Sequence, residues 1–491
     1  MRRATALLLA AACSAAVPVL SPVVDVPDVS SPAYPFTDID ALELSIAHAG
    51  QDASIATVTV GRGETPEIPS VPFDDDLVVH LSGRHTGGAE VSYGRTCVVA
   101  VAQGADPPSV HLYFARIVKW AAGPAPFEPR ASRRDAYATP DGDAVLVGGT
   151  ADADLSDIER FDVRAGSFAP LPGQVAPPPG QVAPRRNGVL AALPDGRALR
   201  IGGVSGPLGA ETAVASFELI SPAAAPGLQV QTIDDDRLHL VDAAAATLVD
   251  GGVVVTGGRR DEGTGFLSSG ATWLYRLGDA GIPDLPRLLP AALAHPRSRH
   301  TATRLGDEVG AAVLIVGGRD EAGPIAAAEL YEPLRESYAA FAPQLITPRY
   351  DHQAVRLPDG SILIVGGRDA ADQPMASLEV YLPRIGQFTA TGTLPVGAGV
   401  VDLTATSLPD GRVLLAGGRD ASGQPVATTY ILRLDPIDGK VDISRTDNLA
   451  VPRAGHSAVR LCDGTVLVVG GTSAPQAPGS ERYNPPSAGR R

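Results

Sequence analysis

Cysteine, methionine, tryptophan and lysine are all scarce in this chain of 491 residues: there are 3 Cys, 2 Met and 2 Trp, and the only lysines are Lys119 and Lys440. So few cysteines, with no CxxC pair, argue against a disulfide scaffold, a zinc site or a redox motif. No HExxH, P-loop or GxSxG string occurs either, which argues against metallopeptidase, nucleotide-binding and nucleophile-elbow chemistry. No cofactor is expected. Aromatic residues make up only 5%. The formal charge is -15; an acidic surface repels phosphate backbones, so no nucleic-acid partner is expected. What is plentiful is glycine (54) and proline (44). That balance favours many turns and short strands over long helices, and 44% hydrophobic residues are enough to bury substantial cores.

The first residues carry a targeting pattern. Arg2 and Arg3 precede the apolar run "ATALLLAAA", and small residues lead into Cys13. The run is too short to span a bilayer as a permanent helix. "LAAAC" (Leu9 to Cys13) resembles a bacterial lipoprotein signal, although Ala10 stands three residues before the cysteine and Leu9 one place earlier than the preferred pattern. The resemblance implies cleavage after residue 12 and a lipid on Cys13, hence a membrane anchor. An ordinary secretory signal cleaved nearby is the alternative, and under either the protein is exported. Ser14 after the cysteine implies the outer membrane where the cell has one, and otherwise a periplasmic or secreted protein. Residues 13–35 then read as an extended Pro/Ser/Val tether with no helical period.

A glycine pair recurs at Gly148-Gly149, Gly202-Gly203, Gly257-Gly258, Gly317-Gly318, Gly366-Gly367, Gly417-Gly418 and Gly470-Gly471. In all but the fourth unit an Asp-Gly turn stands upstream, at Asp141, Asp195, Asp250, Asp359, Asp410 and Asp463. Between turn and glycine pair lie runs such as "SILIV" and "TVLVV", which after the first residue are apolar on both alternating faces. Such a strand is covered on both faces. The glycine pair at its end lets neighbouring backbone approach where a Cβ would clash. Further on, "AELYEPLRESY" and "LEVYLPRIGQF" each read as strand, turn and strand, with aromatics seven apart at Tyr331/Tyr338 and Tyr381/Phe388, as at Phe161/Phe168. Each unit therefore supplies four strands.

Seven units of about fifty residues with four strands apiece are the signature of a β-propeller. The segments "PRYDHQAVRLPDGSILIVGGRD", "PRAGHSAVRLCDGTVLVVGG" and "PRSRHTATRL" resemble kelch repeats, keeping Arg349/His352, Arg453/His456 and Arg297/His300 at one spacing. The match spans roughly residues 113–485. It weakens in the second, third and sixth units, where Gly188, Ala243 and Leu403 hold the His place and the family's Trp is mostly absent. The resemblance implies an all-β chain with a seven-bladed kelch-type propeller over residues 113–491, closed by the stretch around Trp120, which stands seven residues after Tyr113. His300, His352 and His456 are expected to be hydrogen-bonding framework residues. Copper radical oxidases share the propeller, but their chemistry needs a cysteine cross-linked to tyrosine with further Tyr and His ligands, and Cys462 has no such set.

Residues 36–112 lie outside the period and alternate in short pieces, "ALELSI", "IATVTV", "LVVHL" and "TCVVAV". They read as a small β-sandwich, immunoglobulin-like in architecture. Cys97 in this segment and Cys462 in the last repeat can pair in an oxidising compartment or remain thiols. Both alternatives stand at the level of sequence. "PGQVAPP" followed by "PGQVAP" is a tandem duplication in the linker after the first repeat and reads as a tolerated loop insertion.

The candidate binding residues follow the glycine pairs: Arg319-Asp320, Arg368-Asp369 and Arg419-Asp420, with Arg259 in the unit before. In kelch propellers these loops lie on the face where partners dock. One reading is an arc of guanidinium groups that pairs with a carboxylate-bearing protein or glycan. The other is that each Asp pairs with a neighbouring Arg or accepts N–H groups of its own turn, so that the arc is satisfied internally. The whole reads as a monomeric envelope binding scaffold. A sugar-active enzyme of the sialic-acid mutarotase kind, which resembles kelch propellers, is the alternative.

Overall fold

The computed structural model describes residues 20–51, 53–61, 64, 73–102, 109–126, 135–147, 158–170, 185–206, 210–222, 229–261, 265–278, 284–435, 439–471 and 479–487. The signal segment, Cys13, the Gly148-Gly149 pair and the duplicated linker lie outside these. All regular structure among the described residues is β, and no helix is long and apolar enough to cross a membrane.

The N-terminal part is built from β1 (Ser21–Asp25), β2 (Ala41–His48), β3 (Ser54–Gly61), β4 (Asp74–Arg84), β5 (Glu90–Arg95), β6 (Val99–Val101), β7 (Ser109–Tyr113) and β8 (Ala115–Arg116). One sheet runs in the order β3-β2-β4-β5-β8, with β6 on β4; a second is the parallel pair β1-β7. Alternation along β4 sends Leu77, Val79 and Leu81 to the core that the two sheets share with Leu20, Val110, Leu112 and Phe114. His80 and Ser82, on the opposite face, look toward the repeats. Two expectations are corrected by this arrangement. Residues 20–35 are not a free tether: β1 pairs with β7, and Leu20 and Ala33 are buried, because their apolar side chains complete the core. The boundary of the repeats also moves beyond residue 113, since β7 and β8 pair with N-terminal strands.

Seven four-stranded antiparallel sheets follow, with a two-stranded hairpin inserted between the second and third strands of the second sheet (Val204–Ser205 with Thr212–Ala213) and of the third (Arg259–Asp261 with Phe266–Ser268). Their second strands, such as Val313–Val316, Ile362–Val365 and Val466–Val469, are buried at every residue, as their unbroken apolar runs require. The first strand of each sheet packs beside the first strands of the preceding and following sheets, and that of the seventh (Ser457–Arg460) packs beside that of the first (Asp135–Ala138), so the cycle is closed. The seventh sheet takes its fourth strand from Lys119–Ala122, which pairs with Ser480–Asn484. Trp120 therefore belongs to the last repeat, as expected; its aromatic partner is Tyr483 and not Tyr113.

The Asp-Gly turns show how their residues divide the work. In Leu357 to Ser361, Leu357 N–H donates to Ser361 O (2.8 Å) and Gly360 N–H to Leu357 O (3.0 Å). Only the glycine takes a positive φ, 83°, while Asp359 accepts the Ser361 N–H at 3.0 Å. The loop is thus a type I turn closed by a glycine bulge.

At the other end of the second strand, Gly366 has a φ of 65°, and a Cβ there would lie 2.1 Å from Val400 O of the next repeat. Gly317 stands in the same relation to Arg349 O, at 2.5 Å. The pair is kept free of side chains because adjacent repeats meet there through backbone.

Candidate functional site

Beneath the glycine pairs lies a framework of buried ion pairs. Arg349 NH2 donates to Glu379 Oε1 at 2.7 Å and NH1 to Gly366 O and Ser377 O, and the carboxylate also accepts the N–H groups of Ile346 and Thr347. Arg297–Glu329 (2.7 Å), Arg453–Glu481 (2.8 Å) and Arg185–Glu218 (2.8 Å) repeat the arrangement. Burial lowers the proton affinity of each of these arginines and raises that of Glu481. The third and sixth repeats lack the pair. Leu240 stands in the arginine place with Trp273 in the glutamate place, and Val400 with Tyr430; both pairs sit in apolar clusters. In the second to seventh repeats arginine and glutamate are thus present together or absent together; the first keeps a buried Glu159 at the glutamate place, and its arginine place lies outside the described residues. The arginine was singled out by its spacing to histidine, whereas its glutamate was missed although it stands two residues before an aromatic in "AELY", "LEVY" and "SERY".

The three histidines are framework residues, as expected. His352 Nε2 bonds the Thr301 hydroxyl at 2.9 Å, His456 that of Thr404 at 2.9 Å and His300 that of Thr256 at 3.0 Å, each reaching the preceding repeat. Burial holds all three neutral, with His352 and His456 pushed down to about 3 and His300 also lowered.

The residues that precede the histidine places form a rim along which neighbouring repeats meet through backbone. Asn187, Asp242, Arg299, Asp351 and Asp402 have φ between 53° and 57°, and Gly455 has 64°. Asp242 N–H donates to Asn187 O, Arg299 N–H to Asp242 O, Asp351 N–H to Arg299 O and Gly455 N–H to Asp402 O. Left-handed backbone suits Asn, Asp and Gly and is unfavourable for Arg. Arg299 is the exception in this rim, and a two-pronged ion pair to Asp351 secures it, with Nε to Oδ1 at 2.8 Å.

The candidate arginines meet this rim. Arg259 donates to Asp242 at 2.5 Å and Arg419 to Asp402 at 3.2 Å, while Arg368 lies 3.9 Å from Asp351. Asp320, Asp369 and Asp420 are turn residues: they accept the N–H groups of Ala322 and Gly323, of Ala371 and Gln373, and of Ser422 and Gln424. The arc is satisfied internally in all but one repeat. Where the fourth repeat has Arg299 in place of a rim aspartate, Arg319 makes no ion pair among the described residues; its guanidinium lies 4.9 Å from the Tyr350 ring centroid, and that of Arg299 lies 4.7 Å from the same ring. Tyr350 is buried and its hydroxyl donates to Asp372. The glycines named with these arginines, from Gly202-Gly203 to Gly470-Gly471, carry positive φ and serve the backbone contacts described above.

No family model matches the chain. A solved structure titled "Structure of YjhT" is similar, with a TM-score of 0.45 and 12% sequence identity over 62% of this chain and 95% of that one. At that distance the likeness carries no argument about what the chain binds or does.

Proposed function

We propose that the seven sheets form a kelch-type β-propeller joined to an N-terminal β-sandwich, and that the protein is an envelope scaffold, lipid-anchored through Cys13, that binds a protein or glycan on its glycine-pair face. The closed cycle of first strands and the strand borrowed from Lys119–Ala122 support the propeller. Arg319 carries the binding reading. Its counterparts lie against rim aspartates, whereas Arg319 makes no ion pair within 4 Å among the described residues and packs instead on the Tyr350 ring, whose hydroxyl is bound to Asp372. Arginine fixed on a tyrosine is the kind of anchor on which binding energy concentrates. The face is also uncovered by the N-terminal sheets, which meet the repeats at the opposite, Asp-Gly end, through Cys462.

The test compares the mature chain with Arg319→Glu and, as a control on an exposed outer edge, Arg335→Glu, in glycan-array and envelope-protein binding. A ligand whose affinity falls at least ~tenfold in Arg319→Glu alone, with unchanged melting, is expected. Equal binding by all three proteins would sink the proposal. Lipid labelling of wild type beside Cys13→Ser tests the anchor.

A further inference from the structure

Three metal-ligating side chains meet on the N-terminal sheet, away from the glycine-pair face. Asp74 and Asp76 open β4, and the alternation of the strand puts both on one of its faces. His48 ends β2, the neighbouring strand, opposite Leu77. The Ala49 N–H donates to Asp76 O at 2.7 Å, which fastens the chain after His48 to the start of β4. His48 Nδ1 lies 2.6 Å from Asp76 Oδ1 and 3.6 Å from Asp74 Oδ2, while Asp74 Oδ1 accepts the Asp75 N–H at 2.8 Å. One ligand atom from each of the three residues lies within 4.8 Å of the other two.

The surroundings leave these carboxylates to the imidazole. Asp75 stands between them, so that three acids are consecutive in "FDDDL", yet among the described residues the only ion-pair partner of Asp74 and Asp76 is His48. Elsewhere in the chain aspartates meet arginine: Asp195, Asp235, Asp250, Asp410 and Asp463 each hold one. Neighbouring like charges repel unless a cation joins them. One imidazole supplies at most a single positive charge, whereas a divalent ion bound by a neutral imidazole and two carboxylates is balanced. The three side chains are part exposed, His48 at 29%, Asp74 at 34% and Asp76 at 44%, so an ion reaches them from solvent without opening the sheet.

We propose that His48, Asp74 and Asp76 form a binding site for a divalent transition-metal ion, with zinc the best match. Imidazole combined with carboxylate suits zinc, whereas calcium and magnesium take sets made of oxygen alone. Zinc bonds of about 2.0–2.2 Å place the ligand atoms of a tetrahedral set ~3.4 Å apart, and the separations of 2.6 and 3.6 Å lie on either side of that value. Rotation of two part-exposed carboxylates closes the difference, while the pairing of β2 with β4 holds the backbone of all three residues. Three protein ligands leave one position of the tetrahedron for water or for an atom of a bound molecule. The set uses no cysteine, so the scarcity of that residue does not bear on it, and it stands whether or not Arg319 binds a partner.

The test is calorimetric titration of the full chain, freed of metal with a chelator, with zinc chloride and separately with calcium chloride. Wild type is compared with His48→Ala, Asp76→Asn and Asp75→Asn. Saturable zinc binding that weakens at least ~tenfold in the first two variants and less than ~threefold in Asp75→Asn is expected, with calcium bound more weakly than zinc. Carbethoxylation of wild type followed by peptide mapping gives a reading without any substitution. Zinc should slow the reaction at His48 at least ~tenfold, because a ligated nitrogen is no longer nucleophilic, and leave the exposed His85 unchanged. Absence of zinc binding by wild type, which makes His48 and Asp76 an ion pair only, overturns the proposal. So does equal zinc binding by all four proteins, tighter binding of calcium than of zinc, or no protection of His48.

Discussion

Trp120 lies directly opposite Tyr483 in the seventh sheet, with ring centroids 5.0 Å apart and the indole N–H donating to Asp447 O at 3.0 Å. The same third-strand to fourth-strand aromatic contact is made inside single repeats by Phe161/Phe168 at 5.2 Å and Tyr381/Phe388 at 5.1 Å. In the last repeat it joins the two ends of the cycle. Trp120→Ala is therefore expected to cost about 3–5 kcal/mol, the usual range for a buried aromatic, and to loosen the first and seventh sheets together. Hydrogen exchange should find both less protected in the variant; a loss confined to residues 119–122 would count against closure by this contact.

The buried arginine–glutamate pairs make a second prediction. Arg349→Leu or Glu379→Trp alone strands a charge in the core and should cost about 3–5 kcal/mol. The protein itself contains the alternative, since Leu240 and Trp273 fill the same places in the third repeat. The double variant Arg349→Leu/Glu379→Trp should recover most of the single-variant loss. Denaturant midpoints of the four proteins measure it, and additive losses would show the two sites to be independent.

The neutral histidines set an acid limit. Because His352 is pushed down to about 3 when folded, the unfolded chain binds its proton first. Stability from this residue is complete above the unfolded value of about 6.5 and falls as pH drops from there toward 3, by about 2 kcal/mol at pH 5. His352→Gln should lower stability at pH 7 and flatten its decline between pH 7 and pH 5. An unchanged slope of denaturant midpoint against pH would contradict the assignment.

The bond between Cys97 and Cys462 closes a loop of 365 residues. Cys97→Ser is expected to cost about 2–5 kcal/mol and to act first on the junction, because the sheets on either side have cores of their own. Limited proteolysis should then separate an N-terminal fragment from the repeats. Peptide mapping without reductant checks the pairing directly, and recovery of both free thiols would refute it.

Much of the fold was legible because the repeat makes one argument seven times. The run "SILIV" is apolar on both faces from Ile362 on, and in the structure Ile362–Val365 is buried throughout. Histidine at a constant spacing from arginine proved to be framework. The misread parts depend on single events. Residues 20–35 look like a tether since their apolar residues are scattered among prolines, serines and aspartates with no regular period, and a parallel pairing with β7 is what gives Leu20 a core to enter. The arginines after the glycine pairs look alike in sequence. What distinguishes Arg319 is the residue twenty positions earlier, Arg299 instead of aspartate.

By itself the sequence determined the units, their four strands and the places where side chains are forbidden, because local alternation, turn chemistry and glycine recur at short range. Tertiary structure decided which arginines keep an uncompensated charge. That outcome depends on contacts between repeats, where neighbours in space are tens of residues apart, and electrostatic neutralisation depends on that spatial distance alone.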